Sequence, residues 1–170
     1  MRALLICLAA LAAGAAAPIM PGDCSAPEFR QFDFWAGEWE IGPHDDDAQH
    51  TGVSTISLEQ DGCVLVERYR AVTGEGAMSL TGYDARRGVW RHSWSSNTGS
   101  VAYVEGGVRA DGVMELTNLG LASSGGAGVV DRITWFAEAD GAVRQSWATS
   151  NDGGATWTVL FDDRYRRATE

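Results

Sequence analysis

The chain has 170 residues, 45% of them hydrophobic and 21% charged, a composition that suits one domain with a sizeable core. Its formal net charge of −10 repels nucleic acid and anionic membranes. Every one of the 13 basic residues is Arg, and a chain without Lys is excluded from Schiff-base chemistry, pyridoxal phosphate catalysis and the P-loop.

Met1-Arg2, an apolar run over residues 3–13 and the small residues Gly14-Ala15-Ala16-Ala17 have the charge, length and ending of a secretory signal peptide. The stretch is too short to span a bilayer. Residues 1–17 are therefore expected to be removed, residues 18–170 to form a single domain, and the product to be secreted or periplasmic. Cys7 leaves with the signal, so Cys24 and Cys63 remain as an even pair in an oxidising compartment. Their disulfide would close a loop of roughly 40 residues and contribute about 3–4 kcal/mol by the loop-entropy argument. No His pair lies close enough to complete a metal site around them, and no metal is expected.

Ser25-Ala26-Pro27-Glu28 has the Ser-x-x-Glu spacing of a capping box, and Phe29 and Phe32 follow at i, i+3. The spacing predicts a short helix that plugs one end of a barrel. The aromatic stretch Phe32-Asp33-Phe34-Trp35-Ala36-Gly37-Glu38-Trp39-Glu40-Ile41 leads into the first strand. Gly37 admits a close bend or backbone approach, and Trp39, two residues on, points to the same face. From there the pattern has period two, broken by Gly and Asp every ten residues or so. Strands are predicted at 38–41, 53–58, 64–71, 77–83, 89–95, 101–108, 113–118, 129–137, 142–149 and 156–166. Connections such as Asp84-Ala85-Arg86-Arg87-Gly88, Ala110-Asp111-Gly112 and Asp140-Gly141 are short turns, so sequence neighbours should pair antiparallel. The fold class is all-β, an up-and-down meander barrel of about ten strands with an N-terminal helical plug. His44-Asp45-Asp46-Asp47-Ala48-Gln49-His50 reads as a solvated acidic loop, since it lacks the Gly and the bidentate Glu of a calcium loop. The Gly-rich residues 120–128 form the only loop long enough to serve as a lid or portal.

The opening Gly37-x-Trp39, the plug before it, the ten-strand meander and the Arg-rich last strand resemble the calycin superfamily: lipocalins, fatty-acid-binding proteins and nitrobindin-like barrels. Gln31-Phe32-Asp33-Phe34-Trp35, Gly62-Cys63-Val64-Leu65-Val66-Glu67, Trp90-Arg91-His92-Ser93-Trp94 and Asp152-Gly153-Gly154-Ala155-Thr156-Trp157 further resemble a group of small exported bacterial proteins of unknown activity. Calycins carry transport, isomerisation and inhibition on one scaffold. The resemblance implies that an Arg near the end of the last strand, Arg164 or Arg166, stacks over Trp39 and closes the barrel base. The carboxylate clamp of fatty-acid-binding proteins is not matched, because Tyr165 lies on the opposite face from Arg164 and Arg166. Nitrobindin-like haem ligation needs a late His, and none follows His92. No cofactor is expected.

On one face of a strand Trp90, His92 and Trp94 would place an imidazole between two indoles in a low-dielectric interior. Glu67 shares a face with Cys63, Leu65 and Tyr69, and a buried carboxylate needs a partner, for which Arg132 and His92 are the candidates. Gln145 and Trp147 would supply an amide and an aromatic wall. Ser150-Asn151-Asp152-Gly153-Gly154-Ala155-Thr156-Trp157 resembles the Asp-box hairpin of sialidase propellers, a structural motif remote from catalysis. No nucleophile elbow, Cys–His pair or phosphate loop is present, and no residue is assigned a catalytic role.

The first reading is an exported barrel that binds a small apolar or amphipathic molecule, with Glu67, Tyr69, Trp90, His92, Trp94, Arg132, Gln145 and Trp147 around it. No nucleic acid and no membrane span are expected, and the oligomeric state is left open. A second reading is an isomerase or cyclase moving a proton with His92 or Glu67. A third is an inhibitor or interaction module that presents residues 120–128 or the N-terminal segment.

Overall fold

All ten alternating segments are strands: β1 (Gly37–Pro43), β2 (Gly52–Glu59), β3 (Val64–Ala71), β4 (Gly76–Asp84), β5 (Val89–Ser96), β6 (Val101–Val108), β7 (Met114–Thr117), β8 (Val130–Ala137), β9 (Val143–Ser150) and β10 (Thr158–Arg167). Every sequence neighbour pairs antiparallel, and β10 returns to β1, so the sheet closes into a ten-strand barrel with no free edge. The computed structural model describes residues 24–121 and 128–168. The expected signal peptide lies outside the described residues, as do residues 122–127 of the expected portal loop. Among the described residues, no helix is long and apolar enough to cross a membrane.

One end of the barrel is filled from within the chain. Instead of one capped helix, residues before β1 form two 3₁₀ turns, Pro27–Arg30 and Asp33–Trp35. The first is capped at Ala26 with no side-chain hydrogen bond, so Ser25 is not its cap; such short pieces favour the tighter 3₁₀ geometry. They drive Phe32 and Trp35 into the barrel, where both are completely buried with Trp39, Trp90 and Trp135. The rings meet edge-on or tilted, Phe32 lying 5.1 Å from Trp135 and 5.3 Å from Trp90, and Trp35 5.6 Å from Trp135. The Trp39 indole donates to the Trp35 carbonyl at 2.9 Å. Cys24 and Cys63 are joined in a disulfide that fastens the plug segment to the turn before β3.

The cation over Trp39 belongs to Arg167. Its guanidinium carbon stands 3.9 Å from the ring centroid, and Nη1 donates to the Ala36 carbonyl at 2.8 Å. Trp39 and Arg167 are direct cross-strand partners, so they share a face. Gly37, at φ +144°, leaves the space that this guanidinium occupies; a Cβ there would collide with it. Arg164 and Arg166 sit on the opposite parity and face outward. Both bind Asp47, and Arg164 also binds Glu138 and Asp140. Residues 45–50 of the acidic loop are exposed, as expected, while the contacts of Asp47 tie the loop to the outer wall and His44 Nε2 lies 3.1 Å from Glu138 Oε1.

The hairpin between β9 and β10 is built as the Asp-box likeness implies. Asp152 accepts from Ser150 Oγ (2.7 Å), the Thr156 amide (2.8 Å) and Thr156 Oγ1 (2.6 Å), which hold its carboxyl down at about 2. Trp157 donates to the Gly154 carbonyl and lies under Arg132, 4.1 Å from guanidinium carbon to ring centroid.

Candidate functional site

Beyond the plug, the barrel interior opens into a cavity of about 750 Å³. Its position follows from residue size. Large rings fill the plugged end, while inward positions farther along β3, β5, β9 and β10 carry Glu67, Tyr69, His92, Gln145 and Asp163, which do not close the lumen. The mouth reaches exposed residues of the opposite end, among them Glu75, Val101 and Leu160.

The floor is polar. Glu67, 4% exposed, accepts from Ser54 Oγ at 3.0 Å on one carboxylate oxygen and from Ser79 Oγ at 2.9 Å on the other. The Tyr165 hydroxyl donates to Gln145 Oε1 at 2.5 Å and lies 3.5 Å from Glu67 Oε1. Burial raises the Glu67 carboxyl, and the hydroxyl donors only partly offset it, so Glu67 keeps its proton to a higher pH than a solvated glutamate does. Burial also raises the Tyr165 hydroxyl well above its ordinary range. His92, 1% exposed, is pushed down to about 3 by burial and is neutral at physiological pH; Nδ1 lies 2.7 Å from Thr81 Oγ1.

The walls are aromatic. Trp94, Trp147 and Phe161 form a continuous edge-to-face series, 5.5 Å and 5.9 Å between successive centroids, and Tyr69 lines the same cavity. Two further carboxylates join Glu67 there. Asp131 binds the Trp147 indole at 3.1 Å and Asn118 Nδ2 at 3.2 Å. Asp163 has no hydrogen bond and no ion pair among the described residues; burial, then repulsion from Asp162, pushes its carboxyl up to about 6.

Six of the residues singled out from the sequence line this one cavity: Glu67, Tyr69, His92, Trp94, Gln145 and Trp147. Two do not. Trp90 belongs to the plug, packing on Phe32 and Tyr83 and donating to Gln31, so the rings beside His92 are Trp135 (5.2 Å) and Trp35 (6.2 Å) rather than two strand neighbours. Arg132 is on the outer face over Trp157, and hydroxyls, not Arg132 or His92, partner Glu67. Both faces of β8 carry large apolar residues, Ile133 and Trp135 inward and Phe136 outward, which makes its alternation ambiguous. Asp131, Phe161 and Asp163 also line the cavity without standing out in the sequence. Strand parity with Trp135 for the first, and with Tyr165 for the other two, is the signal that marks them.

Among the described residues no group of His, Cys, Asp and Glu is arranged to hold a metal ion. No protein-family model matches the chain, and no curated protein matches it.

Proposed function

We propose that this chain is an exported, calycin-like carrier or receptor barrel that takes a small amphipathic molecule into its open end. The observation that supports this best is the cavity itself: about 750 Å³, walled by aromatic rings and floored by converging polar groups, opposite an end packed solid. A solid interior would have favoured the interaction-module reading. Export rests on the Met1–Ala17 pattern and agrees with the Cys24–Cys63 disulfide.

Native mass spectrometry of the mature protein from its own host tests the reading. A mass excess that disappears on denaturation is expected. A bare polypeptide mass, unchanged after incubation with host lipid and metabolite extract, overturns it.

A second reading, proton transfer to a bound substrate, is favoured by Glu67 alone, a carboxyl on the cavity floor whose hold on its proton burial strengthens. Glu67→Gln keeps the shape and removes the transferable proton. Unchanged turnover of a substrate found for the wild type would sink this second reading.

A further inference from the structure

The charges around the cavity are all of one sign. Glu67 on β3, Glu75 in the turn before β4, Asp131 on β8 and Asp163 on β10 line it, and none of the lining residues is an Arg. The chain has no Lys to supply a cation from elsewhere. Arginines engage acids on the outside, and β10 shows the contrast within two residues. Asp162 points outward and is gripped by Arg144 through two nitrogens, at 2.8 Å and 2.5 Å. Asp163 points inward, opposite Gln145 on β9, and has no hydrogen bond or ion pair among the described residues. A carboxylate withdrawn from water without a partner is costly, and one placed in a cavity mouth is partnered by what enters.

Two polar atoms at the floor are open to what enters, and the Gln145 amide nitrogen, a donor, would take an acceptor on the body of the ligand. Gln145, 5% exposed, accepts from Tyr165, yet its amide nitrogen has no acceptor among the described residues; His92 uses Nδ1 on Thr81, and its Nε2 has no partner among them either. Buried polar groups that line a cavity are normally satisfied, by the protein or by what fills the space. The walls of Trp94, Trp147, Phe161 and Tyr69 offer ring faces, which attract organic cations, and apolar surface for an organic body.

We propose that the ligand is an organic ammonium: a protonated amine on an aromatic or aliphatic body, its charge beside Asp163 and its body against the Trp94–Trp147–Phe161 wall. This rests on the ligand-binding reading above and adds the sign of the charge. An anionic ligand would face acidic side chains and no cation. A neutral one would strip water from Asp163 and supply no counter-charge. The acidic chain as a whole steers cations toward the mouth.

The test uses three probes with one body and different heads: phenylbutylamine, phenylbutanol and phenylbutanoate, titrated by calorimetry into the mature protein at neutral pH. The amine is expected to bind about tenfold or more tightly than the alcohol, and the acid more weakly than either. Asp163→Asn should erase the amine's advantage over the alcohol; thermal unfolding of the same sample verifies that the variant is folded. Equal or tighter binding of the alcohol or the acid, or an amine preference that survives Asp163→Asn, overturns the cation and leaves the cavity reading standing. If none of the three binds, the natural ligand displaced from host-purified protein decides. A basic nitrogen in its formula upholds the proposal, a ligand without one overturns the cation alone, and no ligand at all overturns both.

Discussion

At the plugged end the indoles of Trp35, Trp39, Trp90 and Trp135 are fully buried and pack on one another, Phe32 or Tyr165. At the open end Trp94, Trp147 and Phe161 are half-buried and turn toward a cavity shared with Glu67, Asp131 and Asp163. The same residue type thus serves stability in one place and lines a binding cavity in the other. The plug concentrates apolar burial, cation–π closure and the disulfide within one end, and this surplus tolerates unpaired charge at the other.

Truncating a ring at each end breaks or sustains that contrast. Trp35→Ala empties a fully buried site and should cost about 3–5 kcal/mol, read as a lower urea midpoint; Trp147→Ala, half-buried at the cavity wall, should cost clearly less while abolishing probe binding. Equal losses would mean that the two ends share one core. Next in size is the disulfide. Replacing Cys24 and Cys63 by Ser should cost about 3–4 kcal/mol by release of the closed loop, with probe affinity unchanged because the bond lies at the plug. A large fall in affinity would show that the two ends are coupled.

The open end should show the opposite sign. Asp163 titrates near 6 in the folded chain against an ordinary value of 3.8, so the folded state binds its proton more tightly than the unfolded state. Its charge therefore weakens the fold above about pH 6, and that cost is relieved as pH falls from 6 toward 4. Asp163→Asn should raise stability at pH 7.5 by about 1–2 kcal/mol, after allowance for solvent screening, and flatten the pH dependence in that window. Burial raises the Tyr69 and Tyr165 hydroxyls, and across the cavity the Asp163 charge raises them further. A loss of stability in the variant would show that Asp163 has a favourable partner after all.

The strands are legible because a half-buried barrel wall writes its period into the sequence, and the turns are marked by Gly and Asp. Faces are legible where one side is apolar, as for Leu65, Glu67 and Tyr69 on β3, whose order runs from the packed core outward along the cavity. They are not on β8, where Ile133, Trp135 and Phe136 put large apolar residues on both sides and nothing local marks Arg132 as outward. The plug's shape is hidden for another reason. Phe32 and Trp35 are placed by tertiary packing through two 3₁₀ turns, and capping rules written for an isolated helix do not contain that information. Asp163 escapes notice because acidic residues ordinarily lie on the outer face, as its neighbour Asp162 does in its pair with Arg144.

The smallest effect tests how the plug is closed. Arg167 stacks on Trp39 and donates to Ala36, while Arg164 and Arg166 are engaged with Asp47 on the outside. Replacing Arg167 by Met keeps most of the stem's apolar contact and removes the charge over the ring, so the loss should be about 0.5–1 kcal/mol. The same change at Arg166 removes only an outer contact to the exposed Asp47 and should leave the Trp39 environment as it is. Near-ultraviolet circular dichroism separates the two, because the Trp39 indole senses a cation 3.9 Å above it and not one on the far side of the wall. An altered aromatic spectrum for Arg166→Met, with none for Arg167→Met, would place the closing cation on the other face of β10 and with it reverse the parity that puts Asp163 inside.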